Sequence, residues 1–151
     1  MEQLFLQRIQ DNEKNEIMKC NRLIKKYDLV LSEKDVEQLL ETKNNVLKDV
    51  GRIEFQSIII QQLIYELCDS VFINKYNYVE TLHRFIEIFY YYKDATEDYL
   101  SDEDIIRYMK CAFEGCCQGS LDYLAEEQLT RLIDCLNEGI DIFEELDYGN
   151  I

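Results

Sequence analysis

Apolar residues dominate the middle of the chain, from Phe55 to Cys68. On a helical wheel the polar side chains of this stretch collect on one narrow stripe, which holds Glu54, Ser57, Gln61, Gln62 and Glu66. A helix that is apolar over most of its girth is normally buried among other helices. Isoleucines 58–60 also suit a buried strand, but the pattern is longer than the roughly 4–8 residues of a typical strand. The sequence therefore predicts a buried central helix over 55–68.

Amphipathic stretches on both sides predict further helices, several of them preceded by a polar residue that can cap the first turn. Ser32, Ser101 and Ser120 are such caps, and Gly51 and Gly139 are placed to end helices in a left-handed conformation. The predicted helices are about 12–26, 33–50, 78–94, 102–114 and 126–138, with a short turn over 120–124. The apolar tip 4–9 is expected to extend the first helix, and the tail 140–146 to dock on the core rather than stay free.

These elements predict an all-α fold, a single-domain bundle of about five to six helices spanning residues 1–151. The bundle surrounds the central helix 55–68, with helix 78–94 as its main partner. A chain of 151 residues corresponds to about one domain. A hydrophobic content of 47% with 12% aromatic residues argues against disorder, and the chain has no proline and only five glycines to interrupt helices.

The charge is distributed unevenly. Residues 1–76 carry 11 basic and 13 acidic side chains, whereas residues 77–151 carry 5 basic and 18 acidic ones, and the whole chain has a net charge of −15. A field of this sign repels phosphate backbones and anionic membrane surfaces. The sequence therefore predicts no binding to nucleic acid or membrane, and it allows a protein partner of basic character.

The compartment follows from the cysteines and from the absence of a targeting pattern. No N-terminal stretch has the basic, apolar and small-residue regions of a signal peptide, and no window is apolar enough to span a membrane. Of the six cysteines, Cys20 and Cys111 fall on apolar faces of predicted helices. Buried free thiols in a reducing cytoplasm are expected, because a chain of this size needs no disulfides to stabilise its core.

Several short blocks of the sequence, taken together, are familiar. They are Cys20-Asn21 with Tyr27, Leu29, Leu31 and Ser32, then Gly51–Phe55, Cys68–Ser70, Ile88–Lys93, Phe113–Gly115 and Gln118–Leu124. This set resembles a family of small uncharacterised proteins of anaerobic, low-GC Gram-positive bacteria, a domain of unknown function. The resemblance covers roughly residues 17–125 and implies a bacterial, cytoplasmic origin. It assigns no activity and no site residue.

Two groups of residues contain side chains of the types that bind metals in other proteins. Glu80 and His83 form a Glu-x-x-His pair with Glu87 one turn further on, but a di-iron bundle needs a second such pair and the chain has one histidine. Cys111, Cys116 and Cys117 lack the Cys-x2–4-Cys spacing of structural zinc sites. We therefore expect no cofactor. Cys116 and Cys117 are placed in a loop, where a thiol can also respond to oxidation.

Tyrosines cluster at the end of the predicted helix 78–94, and at helical spacing some of them must face outward. Exposed tyrosines are common at protein interfaces. Together with neighbouring acids, the candidate partner-binding residues are Tyr91, Tyr92, Tyr99, Asp102 and Glu103.

The favoured function is a non-enzymatic interaction or regulatory module acting through the acidic C-terminal half. The alternative is a small metal- or thiol-dependent enzyme that uses the Glu80–Glu87 group or the cysteines. A homo-oligomeric structural protein is a third possibility, and the sequence leaves both the partner and the oligomeric state open.

Overall fold

The computed structural model describes residues 2–54 and 57–149, and over these residues all regular secondary structure is helical. The helices are α1 (Glu2–Met18), α2 (Asn21–Ile24), a 3-10 turn (Lys25–Tyr27), α3 (Glu33–Val50), α4 (Ile59–Leu67), α5 (Tyr78–Ala95), α6 (Asp102–Glu114), α7 (Leu121–Ala125), α8 (Glu127–Glu138) and α9 (Ile142–Gly149). Seven of the described α-helices have eight residues or more. The predicted all-α class is confirmed.

The chain divides into two compact units. Unit 1 comprises Met1–Asp69 and Ile73–Glu87, and unit 2 comprises Ser70–Phe72 and Ile88–Ile151. The helix α5 runs through both, and the chain enters unit 2 briefly at Ser70–Phe72 before α5 begins. The expectation of a single domain spanning 1–151 stays a prediction.

The core of unit 1 is built around α4, as the apolar pattern predicts. Helix α1 packs against both α3 and α4, and the first turn of α5 adds Tyr78, whose hydroxyl donates to the carbonyl of Ile64 at 2.9 Å. Burial raises the pKa of Tyr78 far above its ordinary value, so the hydroxyl remains protonated as a donor. The side chains of α4 that lie in the core are Ile59, Ile60, Leu63, Ile64 and Leu67.

Helix α4 is shorter than the predicted 55–68. It begins at Ile59, because the hydroxyl of Ser57 accepts a hydrogen bond from the Ile59 amide at 3.2 Å, and Ile58 is exposed outside the helix. Serine competes with helical hydrogen bonds in this way. Phe55 and Gln56 lie outside the described residues.

The first helix also differs from the predicted 12–26. The apolar tip extends it at its start, as expected, but α1 ends at Met18 and α2 begins at Asn21. The Asn21 amide reaches across to the extended connector, where its nitrogen donates to the Leu31 carbonyl at 2.9 Å and its oxygen accepts from the Leu31 amide at 2.8 Å. This pair of hydrogen bonds holds the connector against α2. The chain turns at Lys19 and Cys20, between α1 and α2.

The predicted caps at Ser32, Ser101 and Ser120 are confirmed. Ser32, Ser101 and Ser120 each accept a hydrogen bond from the amide three residues on, and Ser32 forms a reciprocal capping box with Asp35. Gly51 and Gly139 end α3 and α8 in left-handed conformations. These local signals set the helix boundaries that surround the candidate site.

In unit 2, α6 packs against α7 and α9, and α8 packs against the same two helices. The C-terminal tail is docked rather than free, because Ile142 and Leu146 of α9 are buried. The ring of Phe72 meets Phe113 edge to face at 5.7 Å between centroids. Gly119 lies against the Phe72 ring and has a φ of +81°. Among the described helices, none combines the length and apolar character needed to cross a membrane.

Candidate partner-binding surface

The tyrosines at the end of α5 divide into buried and exposed ones. Tyr90 and Tyr92 are buried, whereas Tyr91 is 42% exposed. The Tyr92 hydroxyl donates to the carbonyl of Leu124, and burial raises its pKa strongly. Tyr92 is therefore a core residue of unit 2 and is removed from the predicted partner-binding set, because helical spacing turns its side chain inward while that of Tyr91 turns outward.

The turn that follows α5 presents Tyr99 to solvent. Glu97 and Asp98 both adopt positive φ angles, 52° and 62°, which non-glycine residues seldom do. Backbone hydrogen bonds hold this turn, among them those from the Asp98 amide to the Lys93 carbonyl and from the Tyr99 amide to the Thr96 carbonyl. As a result Tyr99 is 77% exposed.

Two open cavities lie on either side of Tyr99. The first, about 470 Å³, is lined by Ala95, Thr96, Glu97, Tyr99, Ile133, Leu136 and Asn137. The second, about 360 Å³, is lined by Tyr99, Leu100, Asp104, Leu136, Gly139, Ile140, Asp141, Ile142 and Phe143. Tyr99 and Leu136 line both and form the ridge between them. We call the surface formed by Tyr99, Leu136, Ile140 and Glu97 the Tyr99 surface.

The acids near this surface have different roles. Asp102 accepts a hydrogen bond from the Lys93 ammonium at 2.8 Å, which ties α6 to α5. Glu103 is exposed, and neither it nor Tyr91 lines the two cavities. The structure thus gathers Tyr99, Glu97 and Asp104 around the cavities and leaves Tyr91 and Glu103 to one side.

The electrostatic character of the surface is strongly negative. Residues 94–104 include six acidic side chains and no basic one, and unit 2 as a whole carries 16 acidic and 4 basic side chains. Charge of one sign around an apolar ridge attracts ligands of the opposite sign and speeds their association.

Sequence reasoning did not select the apolar half of the Tyr99 surface. Ile133 and Leu136 continue the apolar spacing of α8, but both are only partly buried, since Leu132 and Cys135 occupy the core positions. Ile140 was expected to dock with the tail and is instead exposed. The sequence contains one indication of this exposed apolar surface: α8 and the tail together hold more apolar residues than one helix face can bury.

The predicted Glu80, His83 and Glu87 group lies on α5 within unit 1. The Nδ1 atom of His83 lies 2.7 Å from the Thr42 hydroxyl of α3, so one ring nitrogen already has a hydrogen-bonding partner. Burial lowers the pKa of His83, and the nearby Glu87 and Asp35 carboxylates oppose that shift. Glu80 is exposed. In the part of the chain described, no three His, Cys, Asp or Glu side chains are grouped so that they could hold a metal ion.

None of the six cysteines forms a disulfide. Cys20, Cys68, Cys117 and Cys135 are buried, whereas Cys111 is exposed. The expectation that Cys111 faces the core is wrong, because Met109, Ala112 and Phe113 occupy that face of α6. Burial, together with the neighbouring Cys116, raises the pKa of Cys117 to about 12. A thiol held protonated in this way is a poor nucleophile and metal ligand.

A polar network that the sequence did not predict crosses the core of unit 2. Gln128 of α8 is buried, its amide nitrogen donates to the Tyr108 hydroxyl at 2.7 Å, and its amide oxygen accepts from the Cys116 thiol at 3.1 Å. Burial raises the pKa of Tyr108 well above its ordinary value. The network positions the start of α8 relative to α6 and the loop that follows it.

Comparison with known proteins identifies one family. The sequence model described as "Family of unknown function (DUF6323)" matches residues 16–141. No curated protein and no solved structure matches the chain.

Proposed function

We propose that this chain, which belongs to the DUF6323 family of unknown function, is a non-catalytic interaction module. Its Tyr99 surface binds a basic, partly apolar segment of a partner protein. The observation that carries the proposal is the exposed Tyr99 side chain, which lies between two open cavities and is surrounded by acidic side chains.

The chemistry of the surface supports a segment with both basic and apolar residues. Leu136 and Ile140 offer apolar area on α8 and just after it, and Tyr99 offers a rigid aromatic side chain of the type enriched at binding hot spots. Glu97 and Asp104 lie at the edges of the cavities, where they can pair with Lys or Arg. A partner helix with apolar residues spaced three or four apart and flanked by basic residues matches this arrangement of apolar and acidic side chains.

Features elsewhere in the chain support an interaction role over the thiol-dependent enzyme. The pKa of Cys117 is raised to about 12 and that of Cys135 to about 11, in both cases chiefly by burial. Protonated buried thiols favour a structural role for these cysteines. Their free state also supports residence in a reducing bacterial cytoplasm, which remains part of the proposal.

Fluorescence anisotropy with a labelled amphipathic peptide of Lys-Leu-Leu-Lys repeats tests this function. We expect salt-sensitive binding that Tyr99→Ala and Glu97→Lys each weaken by about tenfold. Glu127→Lys, which changes an exposed acid of α8 outside the two cavities, is the matched charge control. Equal affinity of all four proteins for the peptide, or equal binding of a Glu-Leu-Leu-Glu peptide, would contradict the proposal.

A further inference from the structure

A second exposed surface lies in unit 1, where the 3-10 turn meets the turn before α5. The Lys75 ammonium lies 3.8 Å from the Asp28 carboxylate, which brings the two turns side by side. Tyr76 is 85% exposed and Val30 73% exposed. We call the exposed side chains in and beside these two turns the Tyr76 patch: Leu23, Lys26, Tyr27, Val30, Lys75 and Tyr76.

Each of the two tyrosines of the Tyr76 patch has a lysine ammonium beside its ring. The Lys26 ammonium lies 5.2 Å from the centre of the Tyr27 ring, and the Lys75 ammonium lies 5.4 Å from the centre of the Tyr76 ring. Single exposed apolar residues are ordinary, but several of them grouped together indicate an interaction site. Tyrosines with adjacent cations are also a combination that interfaces favour.

The charge of this patch is opposite to that of the chain as a whole. Residues 19–28 hold four basic side chains and one acidic one, Asp28, which is paired with Lys75, although the net charge of the chain is −15. Around the Tyr99 surface the composition is reversed, with six acids and no base in residues 94–104. Each surface thus carries exposed tyrosine and aliphatic side chains, and the predominant charge of one is opposite in sign to that of the other.

We propose that the Tyr76 patch of one copy of this chain binds the Tyr99 surface of a second copy. The inference rests on the proposed function. It identifies the partner segment as part of this same chain, namely α2, the 3-10 turn and the residues Lys75 and Tyr76. Lys26 and Lys75 meet acids such as Glu97 and Asp104, while Tyr76 and Val30 cover Leu136 and Ile140. One sequence then supplies both halves of a complementary interface.

A contact between two different surfaces has a definite consequence for assembly. It is head-to-tail rather than two-fold symmetric, so each bound copy still has one surface free and the assembly continues as an open chain or closes as a ring. Because the contact includes pairs of exposed opposite charges, added salt weakens it. The expected signature is a mass that rises with concentration and falls with salt.

Sedimentation velocity on the full chain, over a concentration series at low and high salt, tests the inference. Two double variants each remove one surface: Lys26→Glu with Tyr76→Ala, and Glu97→Lys with Tyr99→Ala. Each variant alone is expected to self-associate at least tenfold more weakly than the native chain. A mixture of the two is expected to form one-to-one dimers that grow no further, because the first variant retains the Tyr99 surface and the second retains the Tyr76 patch.

The mixture also shows that the variants are folded, since only intact surfaces can pair. Lys34→Glu and Glu127→Lys, at exposed positions outside both surfaces, are the controls and should associate like the native chain. A native chain that stays monomeric throughout, a dimer that neither double variant disturbs, or a mixture that does not pair would overturn the inference. If the native chain is monomeric but the Lys-Leu-Leu-Lys peptide still binds the Tyr99 surface, self-association fails and the proposed function stands.

Discussion

Gln128 and Tyr108 are joined inside unit 2 by a 2.7 Å hydrogen bond from the glutamine amide to the tyrosine hydroxyl, and both side chains are buried. Because neither group can reach water, the amide nitrogen of Gln128 depends on the Tyr108 hydroxyl for its hydrogen bond. The bond also connects α6 with α8, the helix that carries Leu136 of the Tyr99 surface.

The first prediction concerns this pair. Tyr108→Phe leaves the Gln128 amide without its acceptor and should lower the free energy of unfolding by about 1–3 kcal/mol, as measured by urea denaturation. Adding Gln128→Leu should cost less than the sum of the two single changes, because the second change removes the orphaned amide. Tyr99→Phe, at an exposed position, is the control and should change stability by less than about 0.5 kcal/mol. Strict additivity would contradict the coupling.

Gly119 offers a test of close packing. A methyl group added there would lie 2.6 Å from the Phe72 ring, and the φ of +81° is itself unfavourable for alanine. Gly119→Ala should therefore destabilise the protein by roughly 2–4 kcal/mol, the sum of the left-handed and overpacking costs.

Gly51 is the matched control for this change, because it has a similar φ of +71° but nothing within 4 Å of an added methyl group. Gly51→Ala should lower the thermal unfolding temperature less, with a cost of about 1–2 kcal/mol from conformation alone. Similar losses at both glycines would show that the Phe72 contact contributes nothing.

The third prediction is a dependence of stability on pH that arises from His83. Burial lowers the pKa of His83 from its ordinary value of 6.5, so at a pH just below 6.5 the unfolded chain binds a proton that the folded chain does not. Stability is therefore full above pH 6.5 and falls as the pH drops through the lowered pKa. Urea midpoints taken from about pH 7.5 to about 5.5 should show this decline.

His83→Gln isolates the contribution of the imidazole, since the carboxyl groups titrate in both proteins. The variant should have a lower midpoint at pH 7.5 if the Thr42 contact is stabilising, but a flatter pH profile. An identical slope in the native chain and the variant would rule out His83 as the cause.

The fourth prediction addresses a buried cation. Lys43 of α3 is 2% exposed, and its ammonium lies 3.5 Å from the Glu13 carboxylate of α1. Glu13→Ala removes that carboxylate and should cost about 3–5 kcal/mol in chemical denaturation. Lys43→Met keeps most of the packing volume and removes the charge, so it should cost less. The order of the two costs is decisive, and a larger loss for Lys43→Met would contradict this account.

Local signals in the sequence predicted the helix ends well, whereas longer-range ones were missed. Ser32 and Gly51 act on amides and carbonyls within four residues, so their roles can be seen without the fold. The hydrogen bonds between Asn21 and Leu31 join residues ten apart, and no periodicity predicts them.

The candidate site shows the same limit. Tyr99 and its acidic neighbours could be selected from the sequence, because charge and aromatic content are visible in the residues themselves. Ile140 could not, since its exposure depends on how α8 ends and α9 begins. Tyr92 was selected in error because the residues that bury it, and the Leu124 carbonyl that accepts from its hydroxyl 32 positions away, cannot be identified from local spacing.

The path of the chain through the two units limits how the protein can be divided into fragments. Unit 2 takes Ser70–Phe72 from the segment before α5, and α5 itself crosses from one unit to the other between Glu87 and Ile88. No single cut can then separate the units intact: a fragment starting at Ile88 lacks the Phe72 ring that fills the space beside Phe113 and Gly119. Neither unit can therefore be transferred to another protein as one uninterrupted segment of sequence.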